Sequence, residues 1–488
     1  MTSSSEDPFD VVVVGAGTAG LVTAAGAASL GARTALLERH RLGGECLWTG
    51  CVPSKAQLAS AGLAHAMRRG ADFGLEAADP EPNGARVLES VREARAKIQP
   101  HDDPDRFRSM GVDVREGVAA RLTPDGSVEA GGEVLQSRKV VLATGSRPAV
   151  PPVEGLEEAG YVTHEDAFDR DVLPASAVVL GGGPIGVEFA QAYRRLGVEV
   201  TLVEMEDRIL PREDPELTGR LRSVLEQEGV TVLTGTRAVA AGRRGELRAL
   251  TVERAGEPPP GERATLEAEE ILVATGRRPN VEDMGLEAAG VDVGPEGIVV
   301  DGALRTTRRG VFAAGDVIGG LLFTHVADHE ARTVIRNALF PFTAEVDYSV
   351  VPRAVYTEPE LARVGMSEAE ARERHGDAVE VYSYDLEGLD RAVTDRNARG
   401  MVKLVAGPRA RLLGGHVLAP RAGTLVTEIA LALREGLGVG ALSDLVHPYP
   451  TLSEGIRRAA HQYYRSQLTD ARRRLLDGWF RLARRLGL

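Results

Sequence analysis

Cysteine is almost missing from this sequence, with two in 488 residues. So few cannot staple a secreted scaffold, and any role they have must come from the pair itself. Aromatic residues are scarce at 4%, which leaves little aromatic packing. Basic charge is short as well. A formal net charge of -13 argues against a nucleic-acid partner, because neutralising phosphates takes a surplus of Lys and Arg; only the C-terminal tail is basic. Long apolar runs are also absent. The start, MTSSSEDPFD, lacks the basic and apolar segments of a signal peptide, and the stretch from Val11 to Ala32 is broken by Gly15, Gly17, Gly20, Gly26 and Gly31. The expected location is cytoplasmic. What the chain has in quantity is glycine, 56 residues, with an ordinary hydrophobic fraction of 43%. Its length predicts about three domains, and its glycine-rich turns call for a ligand.

The run FDVVVVGAGTAGLVTAAGAASLGARTALLE from Phe9 predicts a buried strand, a glycine turn, a helix of small residues and a second strand closing on Glu38. AVVLGGGPIGVEFAQAYRRLGVEVTLVE from Ala177 repeats this βαβ pattern and closes on Glu204. In each unit the first glycine (Gly15, Gly181) permits the tight turn and the second (Gly17, Gly183) lets a pyrophosphate approach the backbone. The third (Gly20, Gly186) lets helix pack on strand, and the terminal acid lies where ribose hydroxyls would meet it. Two such units predict two nucleotides. Glu204 favours NADH over NADPH, since a carboxylate repels the extra phosphate of NADPH, although Arg208 is near enough in sequence to contact one.

KVVLATGSRP from Lys139 and EILVATGRRP from Glu270 read as two domain crossings, and GVFAAGDV from Gly310 as a strand returning to the first domain. PPPG at Pro258 predicts a hairpin tip. From about Asp347, strands and amphipathic helices alternate without a nucleotide fingerprint. The tail sets Leu475, Leu476, Trp479, Phe480, Leu482 and Leu486 on one helical face beside Arg472, Arg473, Arg474, Arg481, Arg484 and Arg485. Such a helix suits an anionic membrane surface or, more blandly, the protein's own acidic surface.

LGGECLWTGCVPSK, from Leu42 to Lys55, is the most specific segment. Two cysteines separated by four residues, after Gly43-Gly44 and before Val-Pro-Ser-Lys, resemble the active site of the class I flavoprotein disulfide reductases. That family includes dihydrolipoamide dehydrogenase, glutathione reductase and mercuric reductase. The two fingerprints, the Thr-Gly segments and Asp316 follow in the family's order, so the resemblance covers roughly residues 8 to 465.

The resemblance implies an α/β fold: two Rossmann-like dinucleotide-binding domains plus an α+β C-terminal dimerisation domain. The segments are 1–150 (FAD, first part), 151–274 (NAD(P)), 275–346 (FAD, second part), 347–465 (dimerisation) and 466–488 (a basic amphipathic extension). It implies a homodimer with shared active sites and the cofactors FAD and NADH or NADPH. Cys51 would be the thiol at the flavin and Cys46 the exchanging thiol, with a helix starting near Cys46 lowering their pKa values. Gly43 and Gly44 would lie against the flavin ring, and Lys55 and Glu188 would pair near it. Gly117 would lie near the adenine, Thr144, Gly145, Ser146 and Gly276 at the crossings, Asp316 at the ribityl chain, and His325 in the segment under the flavin. No resident metal is implied.

The family's dimer-completing signature is a His and a Glu five residues later, which reach into the partner's site as an acid-base pair. Here Tyr449 stands in the His place, as in mercuric reductases, followed by Glu454; His447 would substitute only with a differently bent loop. A tyrosine is a poor base at neutral pH. The mercuric match is incomplete, since that family has a C-terminal cysteine pair and often an N-terminal metal-binding domain, whereas this sequence ends LARRLGL and its first strand starts at residue 9. Pro184 and Glu45 depart from relatives too. Glu45, where many relatives have Thr, would disfavour a Cys46 thiolate and repel anions, and Trp48 would join the pocket. The expectation is an NAD(P)H-dependent dithiol flavoenzyme of mercuric-reductase-like type, acting on a small-molecule or metal-ion acceptor. Rival readings are a disulfide reductase or dihydrolipoamide dehydrogenase, a quinone or electron-transfer reductase, and a non-enzymatic flavoprotein, which would leave the cysteines without a role.

Overall fold

A computed structural model describes residues 7–254 and 263–487; the turn expected at Pro258 lies outside them. The chain forms two compact units. One comprises residues up to Ala64, Glu81–Met205 and Thr236–Asp347, and the other His65–Pro80, Glu206–Gly235 and the chain from Tyr348 onward.

In the first unit the elements run β1 (Phe9–Val14), α1 (Thr18–Ser29), β2 (Thr34–Glu38), α2 (Gly44–Trp48), α3 (Cys51–Arg68, which continues into the other unit) and β3 (Val112–Glu116). Next come β4 (Ser137–Leu142), β5 (Ser176–Leu180), α4 (Pro184–Arg195), β6 (Glu199–Val203), β7 (Glu270–Val273), β8 (Val311–Ala313) and α5 (Thr324–Leu339). Five of the strands form a parallel sheet in the order β8-β4-β1-β2-β3. β1 reads FDVVVV with almost every residue buried, as a central strand covered on both faces must be. The return of β8 beside β4 completes this sheet from a segment far along the chain. In the second parallel sheet β5 lies between β6 and β7. Residues 146–148 and 277–279, just after the two Thr-Gly turns, pair antiparallel.

Helix α1 gains its close packing from small residues. A Cβ on Gly26 would lie 2.4 Å from Ile335 of α5, so the two helices meet where a larger side chain could not fit. The other unit is built on an antiparallel sheet of β9 (Arg353–Val355), β10 (Glu360–Gly365), β11 (Glu380–Asp385), β12 (Met401–Ala406) and β13 (Leu412–Ala419), in the order β9-β10-β13-β12-β11. Helices α6 (Ala422–Arg434) and α7 (Glu454–Ser466) pack on it through Val426, Ile429, Ile456 and Ala459. α8 (Asp470–Leu486) follows.

Candidate active site

The two glycine turns are built alike. A Cβ on Gly15 would lie 2.4 Å from the Ala143 carbonyl oxygen, and one on Gly181 would lie 2.4 Å from that of Ala274. At the third glycines, Gly20 and Gly186, a Cβ would lie 1.8 Å from the carbonyl oxygen of Gly15 and of Gly181. At the second glycines, Gly17 and Gly183, nothing lies within 4 Å. Two positions per turn are therefore closed by the protein's own backbone, and one faces open space at a helix N-terminus that no side chain caps. That is the cradle an anionic pyrophosphate needs, so the residues present fit a dinucleotide at each turn. Each terminal acid is tied back to its turn: Glu38 accepts from the Ala16 amide at 2.8 Å and Glu204 from the Gly182 amide at 2.6 Å. Arg208 is exposed and donates to the Pro211 carbonyl.

The cysteine segment rests on the first turn. The Gly43 amide donates to the Ala16 carbonyl at 3.0 Å, and a Cβ on Gly44 would lie 2.7 Å from the Gly17 Cα. Both glycines have positive φ, 105° and 55°, a region open chiefly to glycine. They let α2 start directly against the first glycine turn. Cys46 lies in the first turn of α2, the helix start expected near it, and Cys51 opens the longer α3, so the amide field of a helix start falls on Cys51 as well.

Both thiols are free. The Cys51 sulfur accepts a hydrogen bond from Cys46, which outweighs burial and, helped by Thr324 and the Lys55 charge, brings Cys51 down to about 6. Cys46 is pushed well up because it donates to Cys51 and is partly buried, with Asp102 adding a like charge. The dithiol is thus asymmetric, a thiolate at Cys51 beside a protonated Cys46. Thr324, at the start of α5, lies 3.3 Å from the Cys51 sulfur. Neither Thr324 nor Asp102 stood out in the sequence; only the place of Thr324 beside His325 hinted at it. Lys55 and Glu188 form the expected ion pair at 2.7 Å.

Glu45 is not the bare repulsive charge its place beside Cys46 implied. Burial pushes its pKa up, but hydrogen bonds from His164 and Arg277 outweigh this and hold it below the usual carboxylate value. Arg277 grips both carboxylate oxygens, and His164 Nε2 donates to one of them at 2.8 Å. The network continues: Arg277 Nε donates to Ser146 Oγ at 2.8 Å, and Ser146 donates to Asp316 at 2.6 Å. The expected site residues Ser146 and Asp316 are therefore linked to the cysteine helix through Arg277, which follows Gly276 directly. Thr144 Oγ1 donates to the Asn280 carbonyl at 2.7 Å, and Gly145 and Gly276 hold positive φ, 70° and 131°. Gly117 also has positive φ, and a Cβ there would meet no atom within 4 Å. His325 stacks on Phe323 with ring centres 5.2 Å apart. Arg41 lies 3.7 Å over the Trp48 ring, and the Trp48 indole donates to the Leu42 carbonyl.

In the other unit, Tyr449 is 69% exposed and its hydroxyl donates to Asp390 at 3.0 Å; that carboxylate, as acceptor and as charge, raises the phenol's pKa. The His447 side chain is buried, with Nε2 3.1 Å from Glu428. Glu454 is buried and pairs with Arg457 at 3.1 Å. Among the described residues, no group of three or more His, Cys, Asp and Glu is placed to hold a metal ion.

Residues 9–331 match the pyridine nucleotide-disulphide oxidoreductase family, and residues 351–460 match its dimerisation domain. The chain belongs to that family: it is a class I flavoprotein disulfide oxidoreductase, an NAD(P)H-dependent enzyme that contains FAD. It is 32% identical to a mercuric reductase of Bacillus cereus over 92% of this chain and 71% of that protein. It is 33% identical to dihydrolipoyl dehydrogenase of Bacillus subtilis, covering 93% and 97%. Among solved structures, LpdA from Mycobacterium tuberculosis superposes with a TM-score of 0.83 at 28% identity, covering 93% and 99%. The HOCl-induced flavoprotein disulfide reductase RclA from Escherichia coli does so at 0.82 and 26%, with the same coverage.

Proposed function

We propose that this enzyme passes electrons from NADH, through FAD and the Cys46–Cys51 pair, to a thiophilic metal ion, in the manner of a mercuric reductase. The segments 1–150 and 275–346 hold FAD, 151–274 the nicotinamide nucleotide, and 347–465 the contact of a homodimer. FAD supplies acceptance of the hydride and delivery of two electrons to the disulfide. The protein's residues do the rest: Lys55, paired with Glu188, supplies positive charge near the Cys51 thiolate, Thr324 hydrogen-bonds it, and Cys46 meets the acceptor. With a divalent ion M(II), the reaction balances as NADH + M(II) → NAD⁺ + H⁺ + M(0).

The observation that carries this reading is the state of Tyr449. A phenol bound to Asp390, with its pKa raised, accepts no proton at neutral pH, so thiol-disulfide exchange with a small substrate lacks its base. Reduction of a metal ion needs no such base, and a phenol oxygen can ligate a soft cation. The similarity to mercuric reductases and to RclA, which was also solved as a Cu(II) complex, supports the choice. A second reading, dihydrolipoamide dehydrogenase with His447 as base, is favoured by the His447–Glu428 pair.

Steady-state NADH oxidation with mercuric ion in excess thiol, against NADH oxidation with lipoamide, separates the two. Metal-dependent turnover that Cys46→Ser abolishes while flavin reduction by NADH survives is the expected result. Efficient lipoamide turnover without metal-dependent turnover overturns it. The donor preference rests on Glu204, and a larger kcat/KM for NADPH than for NADH would remove that part.

A further inference from the structure

Helix α8 buries none of its residues. Leu475 is 75% exposed, Leu486 63%, and Trp479 and Phe480 54% each. With 3.6 residues per turn, Leu475, Leu476, Trp479, Phe480, Leu482, Ala483 and Leu486 fall on one side and cover about half of the helix circumference. Arg473 and Arg484 line one edge of that apolar sector and Arg485 lies toward the other; Arg472 falls within the sector at the helix start, where it donates to Gln467, and Arg474 and Arg481 lie on the opposite face. Asp470 and Asp477 share that opposite face with Arg474 and Arg481. From Asp470 onward six arginines against two aspartates give the segment +4 in a chain of net charge -13. The side chain of Thr469 caps the helix by accepting from the Arg472 amide, so its start is fixed locally. The helix lies beyond residues 351–460, the part matched to the dimerisation domain.

We propose that α8 lies in the surface of an anionic lipid bilayer, with its apolar sector at the boundary between headgroups and acyl chains. The order of residues around the helix favours lipid over a protein groove. When the sector is immersed, Arg473, Arg484 and Arg485 lie nearest the depth of the lipid phosphates, where their long side chains reach up to them. The aspartates then point to water, away from the negative surface. Trp479 is a side chain suited to the interface, and Leu and Phe supply the buried apolar area. Attachment is peripheral, since among the described residues no helix is long and apolar enough to cross a membrane. The proposal does not depend on which acceptor the cysteines serve.

The test uses the FAD-loaded enzyme with vesicles of equal parts phosphatidylglycerol and phosphatidylcholine, against phosphatidylcholine alone. Full-length enzyme should sediment with the anionic vesicles and lose most of that binding in high salt. Leu475→Glu with Trp479→Glu should weaken partitioning roughly tenfold or more, and a chain stopped at Ser466 should stay in the supernatant. Flavin content and NADH oxidation should be unchanged in both variants. Arg473→Gln with Arg484→Gln, which leaves the apolar sector intact, gives an independent reading and should weaken binding to anionic vesicles only. Equal sedimentation of full-length and shortened chains overturns the proposal, as does full-length enzyme that binds neither vesicle. A lower molecular mass by light scattering on removing α8, without any vesicle binding, would overturn it too and make a second copy the occupant.

Discussion

Cys46 and Cys51 are the same residue type five positions apart, and their surroundings make them different reagents. Cys51 receives the hydrogen bond, a helix start and the Lys55 charge; Cys46 gives its proton to the bond, and burial adds to the rise in its pKa. A lowered pKa means the thiolate is present above that pKa and disappears as pH falls through it. In the two-electron-reduced enzyme the long-wavelength thiolate–flavin absorbance should therefore be full at pH 8 and fade with a midpoint of about 6. A midpoint near 8.5, about the value of an ordinary thiol, would contradict the asymmetry. Glu45 lends a second test, because its charge raises Cys51 while its own carboxylate is bound by Arg277. Glu45→Gln should shift the absorbance midpoint to lower pH; a purely structural role would change thermal stability and leave the midpoint in place. The cysteines, Lys55 and Glu188 were legible in the sequence because one short motif and a fingerprint helix carry them. Arg277 and His164 were not, because nothing in the local pattern says which distant charge will neutralise Glu45.

The βαβ units were legible because every step of their construction is local: an apolar strand, glycines at fixed spacing, a helix of small residues. The structure adds which glycine does what. Gly186 is closed by the Gly181 carbonyl, whereas the Cβ position of Gly183 is open, and the φ of Gly183, -73°, is one that any residue adopts. Gly183→Ala should accordingly fold normally and weaken nicotinamide nucleotide binding roughly tenfold or more, about the value of one charge-assisted hydrogen bond to the pyrophosphate. Gly186→Ala should instead overpack the strand-helix contact and cost about 1–3 kcal/mol of stability. Equilibrium binding of NAD⁺ and thermal unfolding of both variants check the pair, and a Gly183→Ala enzyme with unchanged nucleotide affinity would show that the open position faces no ligand. Helix α8 was visible as a periodic apolar face, but the same period serves a buried helix, and only its exposure in the fold separates the two.

At the scale of the molecule, the family's dimer predicts that a residue near the end of one chain completes a site on the other. Tyr449 is exposed in its own chain, which suits a side chain meant for a partner, whereas the His447 side chain is buried against Glu428. Supplying an imidazole at position 449 should provide the base that small-disulfide chemistry needs, so Tyr449→His should raise dihydrolipoamide turnover, with about a hundredfold as the scale of a well-placed base. The gain should follow a bell or sigmoid in pH near the ordinary imidazole pKa of about 6.5. Mixed dimers locate the effect. In a dimer of one Cys46→Ser chain carrying Tyr449→His and one chain otherwise unaltered, the intact cysteine pair meets the new imidazole only if the site is completed by the partner. Gained lipoamide turnover in that mixed dimer, with none in the Cys46→Ser homodimer, is the expected result. A gain confined to dimers that carry Tyr449→His and both cysteines on one chain would place the residue in its own chain's site and remove the shared-site reading.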